Sequence, residues 1–210
     1  MISIRASAWV PRGNCTTTSY LRTQAAICIS RPVWHGRLPV SGVSGAGRKA
    51  ELDYLFVECN ESARPYGVPK HRHLSEIEQE LSLANGASVT IQFTPHLIPI
   101  NRGILTTLYL APLRRFSSAD DTRDLADQIC RSYRQAYGSE PFVRLLGGSS
   151  FPDTKNVVGT NVIEIAWRLD PRTGRIIVMS AIDNLMKGAS GQAVQALNVL
   201  CGFCETDGLI

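Results

Sequence analysis

VIEIAWRLDPRTGRIIVMSAI, residues 162–182, is the stretch of the chain that says most about the fold. Residues 162–169 and 175–182 are rich in β-branched and large apolar side chains, which favour strands. Between them lies Asp170-Pro171-Arg172-Thr173-Gly174, a combination of residues that is typical of tight turns. The segment therefore predicts two antiparallel strands joined as a hairpin.

Two further strands are predicted before the hairpin. Val89, Ile91 and Phe93 alternate with polar residues, and residues 104–110 are rich in residues that favour strands. Antiparallel strands that are interspersed with a few helices indicate an α+β domain.

Helices are predicted from their N-terminal signals. Ser75 followed by Glu78, and Ser118 followed by Asp121, have the spacing of a capping box, in which the two side chains satisfy backbone N–H groups at a helix start. A glycine follows each of these helices, as it often does at a helix end. The three predicted helices span residues 76–84, 119–137 and 190–203, the last with Val194, Leu197 and Cys201 on one face.

Charge divides the chain into two parts. Residues 1–50 hold seven Arg or Lys and no Asp or Glu, whereas residues 51–210 hold fifteen and eighteen, a balance of −3. Because the basic excess lies outside the predicted folded part, binding to nucleic acid is not expected. No apolar run is long enough to cross a bilayer, so no membrane partner is expected either. Residues 1–40 are interpreted as a basic leader without function or as an organellar transit peptide, and residues 41–210 as one domain.

Six cysteines are scattered along the chain and indicate reduced thiols in a cytoplasmic protein, or in an organellar one if residues 1–40 are a transit peptide. Cys201 and Cys204 form a Cys-x-x-Cys pair near the C-terminus. Without a second pair, we interpret them as buried thiols with no redox role.

Residues 70–79, KHRHLSEIEQ, carry the strongest chemical signal. Histidine exchanges protons near neutral pH and arginine grips phosphates and carboxylates, so His71, Arg72 and His73 together predict proton transfer on an anionic substrate. Glu76 lies in the first turn of the predicted helix and could orient an imidazole or bind the substrate. The pattern does not settle which histidine moves the proton. No metal site is expected, because tetrahedral zinc needs further ligands and none stands at a recognisable spacing.

Three loops add weaker signals. Residues 41–48, SGVSGAGR, are rich in glycine, so several backbone N–H groups could converge on an anion, although a flexible linker has the same composition. Arg102 follows two prolines that rigidify a connection between strands and is either an anion contact or a solvent-exposed residue. Small residues over 183–192 would let a helix N-terminus approach a ligand, or merely pack closely against a strand.

In this order, the segments resemble the N-acetyl-gamma-glutamyl-phosphate reductase family, which is related to aspartate-semialdehyde dehydrogenase. The resemblance spans about residues 41–209. The matching segments are residues 41–49, 64–68, 71–79, 93–105, 141–144, 152–155 and 180–195.

The resemblance implies a fold and an activity. The fold would be the C-terminal domain of glyceraldehyde-3-phosphate-dehydrogenase-like enzymes, a mixed or antiparallel sheet with helices on one face, which binds substrate and dimerises. The activity would be NADP-dependent reduction of N-acetyl-glutamyl phosphate to its semialdehyde in arginine biosynthesis. A cysteine thiolate attacks the acyl phosphate in this chemistry, and NADPH then reduces the thioester. The implied partners are this small acyl phosphate and a second copy of the chain.

The resemblance also implies roles for particular residues. The catalytic candidates are His71, His73 and Glu76, with Cys15 as a nucleophile candidate that lies twenty-six residues before Ser41 but lacks the flanking residues of the family motif. The implied substrate-binding residues are Ser41, Gly42, Ser44, Gly45, Arg48, Arg72 and Arg102. The implied contacts to the nicotinamide end of NADP are Asn184, Lys187 and Gly188.

One departure from the family is large. Its members begin with a nucleotide-binding domain, and nothing in residues 1–40 resembles one. We therefore expect the chain alone not to turn over, and we expect its last helix to expose apolar side chains that lack a packing partner. The alternatives are a catalytically silent truncated domain that associates with itself, and a relative of aspartate-semialdehyde dehydrogenase.

Overall fold

Eight strands form one mixed sheet in the computed structural model, which describes residues 36–48, 51–112, 116 and 118–210. The strands follow the order β2-β4-β1-β5-β8-β7-β6, and β3 pairs with β1 beside this path. They are β1 (Gly36–Ser41), β2 (Arg64–Pro65), β3 (Gln92–Phe93), β4 (His96–Leu97), β5 (Ile104–Leu110), β6 (Val143–Leu145), β7 (Ile163–Asp170) and β8 (Arg175–Ile182).

Helical segments connect these strands. The α-helices of the described residues are α1 (Phe56–Cys59), α2 (Leu74–Asn85), α3 (Ala119–Tyr137) and α4 (Gly191–Cys201). Three short 3-10 turns cover Val43–Ala46, Leu52–Tyr54 and Thr154–Asn156, and a π turn over Met186–Ser190 leads directly into α4.

The predicted hairpin is confirmed as β7 and β8, which pair antiparallel along their whole length. Its turn is held by Asp170, whose carboxylate accepts the N–H groups of Arg172 at 3.0 Å and Thr173 at 3.3 Å and the Thr173 hydroxyl at 2.7 Å. Gly174 follows at φ +64°, a conformation that glycine adopts without steric cost. The turn chemistry is thus local, which is why the sequence predicts it.

The sheet begins earlier than the sequence indicates. Because β1 starts at Gly36, residues 36–40 belong to the sheet and not to a basic leader. β1 pairs antiparallel with β5 on one side and parallel with β3 and β4 on the other. The interior Pro39 hides this strand in the sequence, since proline is rare inside sheets. Residues 1–35 lie outside the described residues, and with them Cys15.

Helices α2 and α3 cover one face of the sheet and form the core with it. Ile77 of α2 and Ile129 and Tyr133 of α3 pack with alternate residues of β5, β7 and β8, as the two-residue period of strands requires. The strand residues in this cluster are Leu108, Ile163, Ile165, Ile176, Val178 and Ile182. The α+β class with a mixed sheet and helices on one face is confirmed.

The two predicted capping boxes have different outcomes. Ser118 caps α3 as expected, because its hydroxyl accepts the N–H of Asp121 at 3.0 Å and the Asp121 carboxylate accepts the N–H of Ser118 at 3.4 Å. The prediction of a capping box at Ser75 is wrong. Helix α2 begins at Leu74, with His73 as its N-cap, and Glu78 accepts the N–H of Ile91 at 3.0 Å instead of folding back on the helix start.

Helix α4 exposes its apolar side chains, as expected. It contains no charged residue, and within it Gly191 and Asn198 are the buried residues. Leu197 and Leu200 are each 54% exposed. Phe203, just beyond the helix, is exposed as well. The buried Asn198 amide donates to the carbonyls of Glu205 at 3.3 Å and Asp207 at 2.9 Å, and so ties the C-terminal residues to the helix.

The described cysteines are free thiols. Cys59 is buried, but Cys201 and Cys204 are exposed, so the interpretation of this pair as buried thiols is wrong. Within the described ranges, no helix is both long enough and apolar enough to span a membrane.

Candidate functional site

The site lies at one edge of the sheet, where β1 and β8 end and β5 begins. Ser41 pairs with Ile104, and Ile104 pairs with Ile182, so the loops that follow or precede these residues are neighbours. Asn184 connects them directly. Its Oδ1 accepts the N–H of Gly103 at 2.7 Å, and its Nδ2 donates to the Ser44 hydroxyl at 2.9 Å.

The glycine-rich turn is folded against the loop before β5. The N–H of Gly42 donates to the Gly103 carbonyl at 2.9 Å, and a Cβ on Gly42 would lie 2.8 Å from the Ile100 carbonyl oxygen. Only glycine permits this approach. The turn is therefore a fixed part of the site and not a flexible linker.

This packing changes how the turn could bind an anion. The N–H groups of Gly42, Val43, Ser44, Gly45 and Gly47 all donate to backbone carbonyls of the protein. The expectation that these amides converge on an anion is therefore wrong. Anion contacts must come chiefly from side chains, among which the Ser44 hydroxyl is fixed by Asn184 and the Ser41 hydroxyl is buried.

Arg102 is held beside the turn by a buried carboxylate. Its Nη1 donates to Oδ2 of Asp183 over 3.5 Å, while 43% of the Arg102 side chain stays exposed. Asp183 has no exposed surface and directly follows β8. The pair leaves part of the Arg102 side chain open toward solvent at the edge of the sheet.

The two histidines reach the site through Tyr66. The Tyr66 hydroxyl lies near the Ser41 side chain, which opposes the rise in the pKa of Tyr66 that burial causes, and the Tyr66 ring meets the His71 ring edge-on with centroids 5.3 Å apart. His71 also touches the rings of Phe93, at 5.4 Å, and His73, at 5.1 Å. His71 and Ser41, the first residue of the glycine-rich turn, thus share Tyr66 as a neighbour, and His73 contacts His71.

Both imidazoles favour the neutral form. Burial lowers the pKa of His71, and the nearby His73 and Arg72 lower it further. Burial also lowers the pKa of His73, with a further contribution from Arg72 and an opposing one from Glu76. The expected position of Glu76, in the first turn of α2 beside an imidazole, agrees with this electrostatic contact.

The predicted substrate-binding residues fall into two groups. Ser41, Gly42, Ser44 and Gly45 lie around Asn184 with Arg102 beside them, whereas Arg72 accompanies the histidines. Arg48 ends the glycine-rich turn and is exposed. Arginine and imidazole groups therefore border one edge of the sheet, a suitable environment for an anionic substrate.

The residues expected to contact a nicotinamide are engaged with protein partners. The Asn184 amide is engaged with Gly103 and Ser44, and the Gly188 N–H donates to the Asp183 carbonyl at 2.9 Å. Lys187 is buried and donates to Oε1 of Gln195 at 2.6 Å. These groups hold the turn after β8 to the core, and each of them has at least one protein partner.

Two residues that the sequence interpretation missed organise the site. Tyr66 lies within the segment Arg64-Pro65-Tyr66-Gly67 and Asp183 follows the apolar strand β8. An acidic residue directly after a buried strand is a usable signal, since such a charge needs partners. Among the described residues, no group of three or more His, Cys, Asp or Glu side chains is arranged to hold a metal ion.

A comparison with protein families gives a match over most of the chain. The family model described as "Semialdehyde dehydrogenase, dimerisation domain" matches residues 31–184. Helix α4 lies beyond this match.

Two curated relatives are named N-acetyl-gamma-glutamyl-phosphate reductase. The protein from Akkermansia muciniphila is 57% identical over 169 residues, which are 80% of this chain and 46% of the relative. The protein from Moorella thermoacetica is 56% identical over 207 residues, which are 97% of this chain and 58% of the relative. These relatives confirm the resemblance drawn from the sequence motifs. The chain spans about half the length of the curated relatives that it matches.

Solved structures agree on the fold. Aspartate semialdehyde dehydrogenase II from Vibrio cholerae superposes with a TM-score of 0.64 at 17% identity, over 90% of this chain and 61% of that one. A probable aspartate-semialdehyde dehydrogenase from Pseudomonas aeruginosa gives a TM-score of 0.62 at 13% identity, over 88% and 61%. At such low identity the likeness concerns the fold alone.

Proposed function

The chain belongs to the semialdehyde dehydrogenase dimerisation-domain family, and on that premise we propose that it supplies the substrate-binding and proton-transfer part of an N-acetyl-gamma-glutamyl-phosphate reductase. The choice of substrate follows relatives that are 57% and 56% identical and carry that name. The structures of aspartate-semialdehyde dehydrogenases are too distant in sequence to argue for the other substrate.

The observation that supports this proposal best is the position of Tyr66 between Ser41 and His71. It brings neutral imidazoles to the same edge of the sheet as the glycine-rich turn and Arg102. A phosphorylated or carboxylate-bearing substrate needs a cation for binding, and its reacting carbonyl oxygen needs a proton as negative charge develops there. Arg102 and Arg72 would provide the first function and an imidazole the second.

We assign the proton transfer to His73. Nδ1 of His71 accepts the backbone N–H of His73 at 3.2 Å, so that nitrogen is occupied. A general acid or base must gain and lose a proton at a nitrogen that faces the substrate. His73, whose pKa is drawn in opposite directions by Arg72 and Glu76, has the surroundings that tune such a group. His71 would then support His73 through ring contact and the backbone.

The remaining chemistry is not assigned to the described residues. None of the four described thiols lies on the loops that form the site: Cys59 is in α1, Cys130 is in α3, and the other two are at the end of α4. The polar side chains predicted to contact a nicotinamide after β8 are engaged with protein partners. We therefore propose that the described residues alone do not reduce the acyl phosphate.

Two titrations test the proposal. Inorganic phosphate and N-acetyl-glutamate, followed by calorimetry, should bind the chain, and Arg102→Met should weaken phosphate binding at least fivefold. Arg123→Met is the matched control, because Arg123 is an exposed arginine on α3 that pairs with Asp120. Equal weakening by both variants, or no binding of either ligand, would contradict the proposal. NADPH fluorescence should show no saturable change, and saturable binding would show that a cofactor site exists after all.

Self-association is a second proposed role, favoured by the dimerisation domain that the family model describes. Sedimentation velocity over a range of concentrations should reveal a dimer. A monomer at all concentrations would argue against this role and leave the substrate proposal unaffected.

A further inference from the structure

Asp183 is a fully buried carboxylate that accepts four hydrogen bonds. Oδ1 accepts the N–H groups of Leu185 at 2.7 Å and Met186 at 3.0 Å. Oδ2 accepts the N–H of Gly159 at 2.8 Å and Nη1 of Arg102 at 3.5 Å. The two oxygens thus have separate tasks. One shapes the turn after β8, and the other joins two loops at the edge of the site.

The location of Oδ2 determines what Asp183 can do. Gly159 belongs to the connection between β6 and β7, and Arg102 to the connection between β4 and β5. The side chain of Thr154, in the same connection as Gly159, packs against Gly103, where a Cβ would meet it at 2.8 Å. Asp183 therefore fixes Arg102 relative to a loop that packs against Gly103, whose carbonyl accepts the N–H of Gly42 in the glycine-rich turn.

We propose that Asp183 is a positioning residue that directs the guanidinium of Arg102 toward the anionic group of the substrate. The proposal rests on the proposed function for the identity of that anion. Asp183 itself has no exposed surface and does not touch the substrate. One nitrogen of the Arg102 guanidinium is bound to Asp183. The other guanidinium nitrogens therefore keep a fixed direction, whereas a long side chain without such a partner would move freely in solvent.

The variant Asp183→Asn separates this role from simple structural support. The amide oxygen can take the place of Oδ1 and keep the bonds to Leu185 and Met186. The amide nitrogen would then stand where Oδ2 stood, opposite two donors, and could accept neither. The turn after β8 would stay formed while Arg102 is released.

A double-mutant cycle measures the coupling between Asp183 and Arg102. Calorimetric titration with inorganic phosphate should show about a tenfold weaker affinity for Asp183→Asn than for the unaltered chain. In an Arg102→Met background, the same change should alter the affinity less than twofold, because the group that Asp183 positions is gone. Equal weakening in both backgrounds would overturn the proposal. Asp170→Asn is the matched control, since Asp170 accepts similar backbone bonds at the distant hairpin turn.

A second measurement needs neither a ligand nor a variant. In the unaltered chain at neutral pH, NMR should show slower rotation of the Arg102 guanidinium than of the exposed Arg123 guanidinium, and slow exchange of the Gly159 amide hydrogen. Equal rotation of the two guanidinium groups would overturn the positioning role even if phosphate binds. Absence of phosphate binding with slow Arg102 rotation would instead count against the proposed function alone.

Discussion

The backbone N–H of His73 donates to Nδ1 of His71 at 3.2 Å. Nδ1 can accept this bond only while it carries no proton, so a neutral His71 holds its proton on Nε2. Protonating the ring would place two N–H groups against each other. The bond therefore acts in the same direction as burial, which lowers the pKa of His71.

The first prediction is that both histidines titrate below pH 6.5, the ordinary value for the side chain. NMR of ¹⁵N-labelled imidazoles should show this, with His71 in the Nε2–H form at neutral pH. His96 is the internal comparison for the tautomer, because its Nδ1 lies 3.1 Å from the Thr94 carbonyl oxygen. An Nδ1–H tautomer of His71 would contradict the assignment of proton transfer to His73.

The same shifts give the sign of a pH effect on stability. Since the pKa of each histidine is lower in the folded state, the unfolded chain binds more protons below about pH 6.5. The free energy of unfolding should therefore be greatest above pH 6.5 and decrease as the pH falls through the lowered values. Urea unfolding of a His71→Gln/His73→Gln variant should show a smaller decrease over that range, and an unchanged decrease would assign the effect to other groups.

The second prediction concerns Tyr66. Tyr66→Phe removes the hydroxyl that interacts with Ser41 but keeps the ring against His71, so it should cost about 1 kcal/mol of unfolding free energy. It should also shift the His71 resonances, because the ring is no longer tied to the glycine-rich turn. Tyr109→Phe, at an exposed tyrosine of β5, should change neither quantity. Unshifted His71 resonances in Tyr66→Phe would mean that Tyr66 does not connect the two parts of the site.

The sequence predicted those parts of the fold that depend on local interactions. The turn at Asp170 and Gly174 and the cap at Ser118 bond within a few residues of themselves, so their side chains reveal them. Strand β1 was not predicted, because its partners β3, β4 and β5 lie more than fifty residues away in the chain. Its register rests on those partners and not on its own composition.

The site divides in the same way. His71, His73 and Arg102 were predicted because the residue type alone indicates proton transfer for an imidazole and anion binding for a guanidinium. Asp183 and Tyr66 were missed because their roles depend on Arg102 and Ser41, which are distant in sequence. The glycine-rich turn was recognised, but its amides were expected to bind an anion. They are instead used by backbone carbonyls, several of them in residues 100–103, a pairing that sequence spacing does not reveal.

The third prediction concerns the buried Lys187. Its ammonium lies 5.5 Å from the centroid of the Phe142 ring, and burial lowers the pKa of Lys187 to about 8. Between about pH 8 and the ordinary value near 10.5, the unfolded chain binds more protons than the folded one. Raising the pH through this range should therefore increase the free energy of unfolding by roughly 3 kcal/mol.

The variant Lys187→Met tests whether Lys187 causes this pH dependence, since methionine fills a similar volume without a charge. Urea unfolding at several pH values should show a weaker increase above pH 8 for Lys187→Met than for the unaltered chain. Lys155→Met is a suitable control because Lys155 is exposed and pairs with Asp153. The same increase in all three proteins would exclude Lys187 as its source.

The fourth prediction concerns the apolar surface of α4. Leu197 and Leu200 are each 54% exposed on a helix whose position is fixed by Asn198, so their exposure belongs to the folded state and does not reflect fraying. Leu197→Gln and Leu200→Gln together should reduce the fluorescence of the dye ANS bound to the chain, because they remove contiguous apolar area. The free energy of unfolding should change by less than about 0.5 kcal/mol per site, as for other exposed substitutions. Leu83→Gln, at an exposed leucine of α2, should leave the dye signal nearly unchanged. A loss of several kcal/mol in the α4 variant would instead mean that these leucines are already packed against another part of the protein.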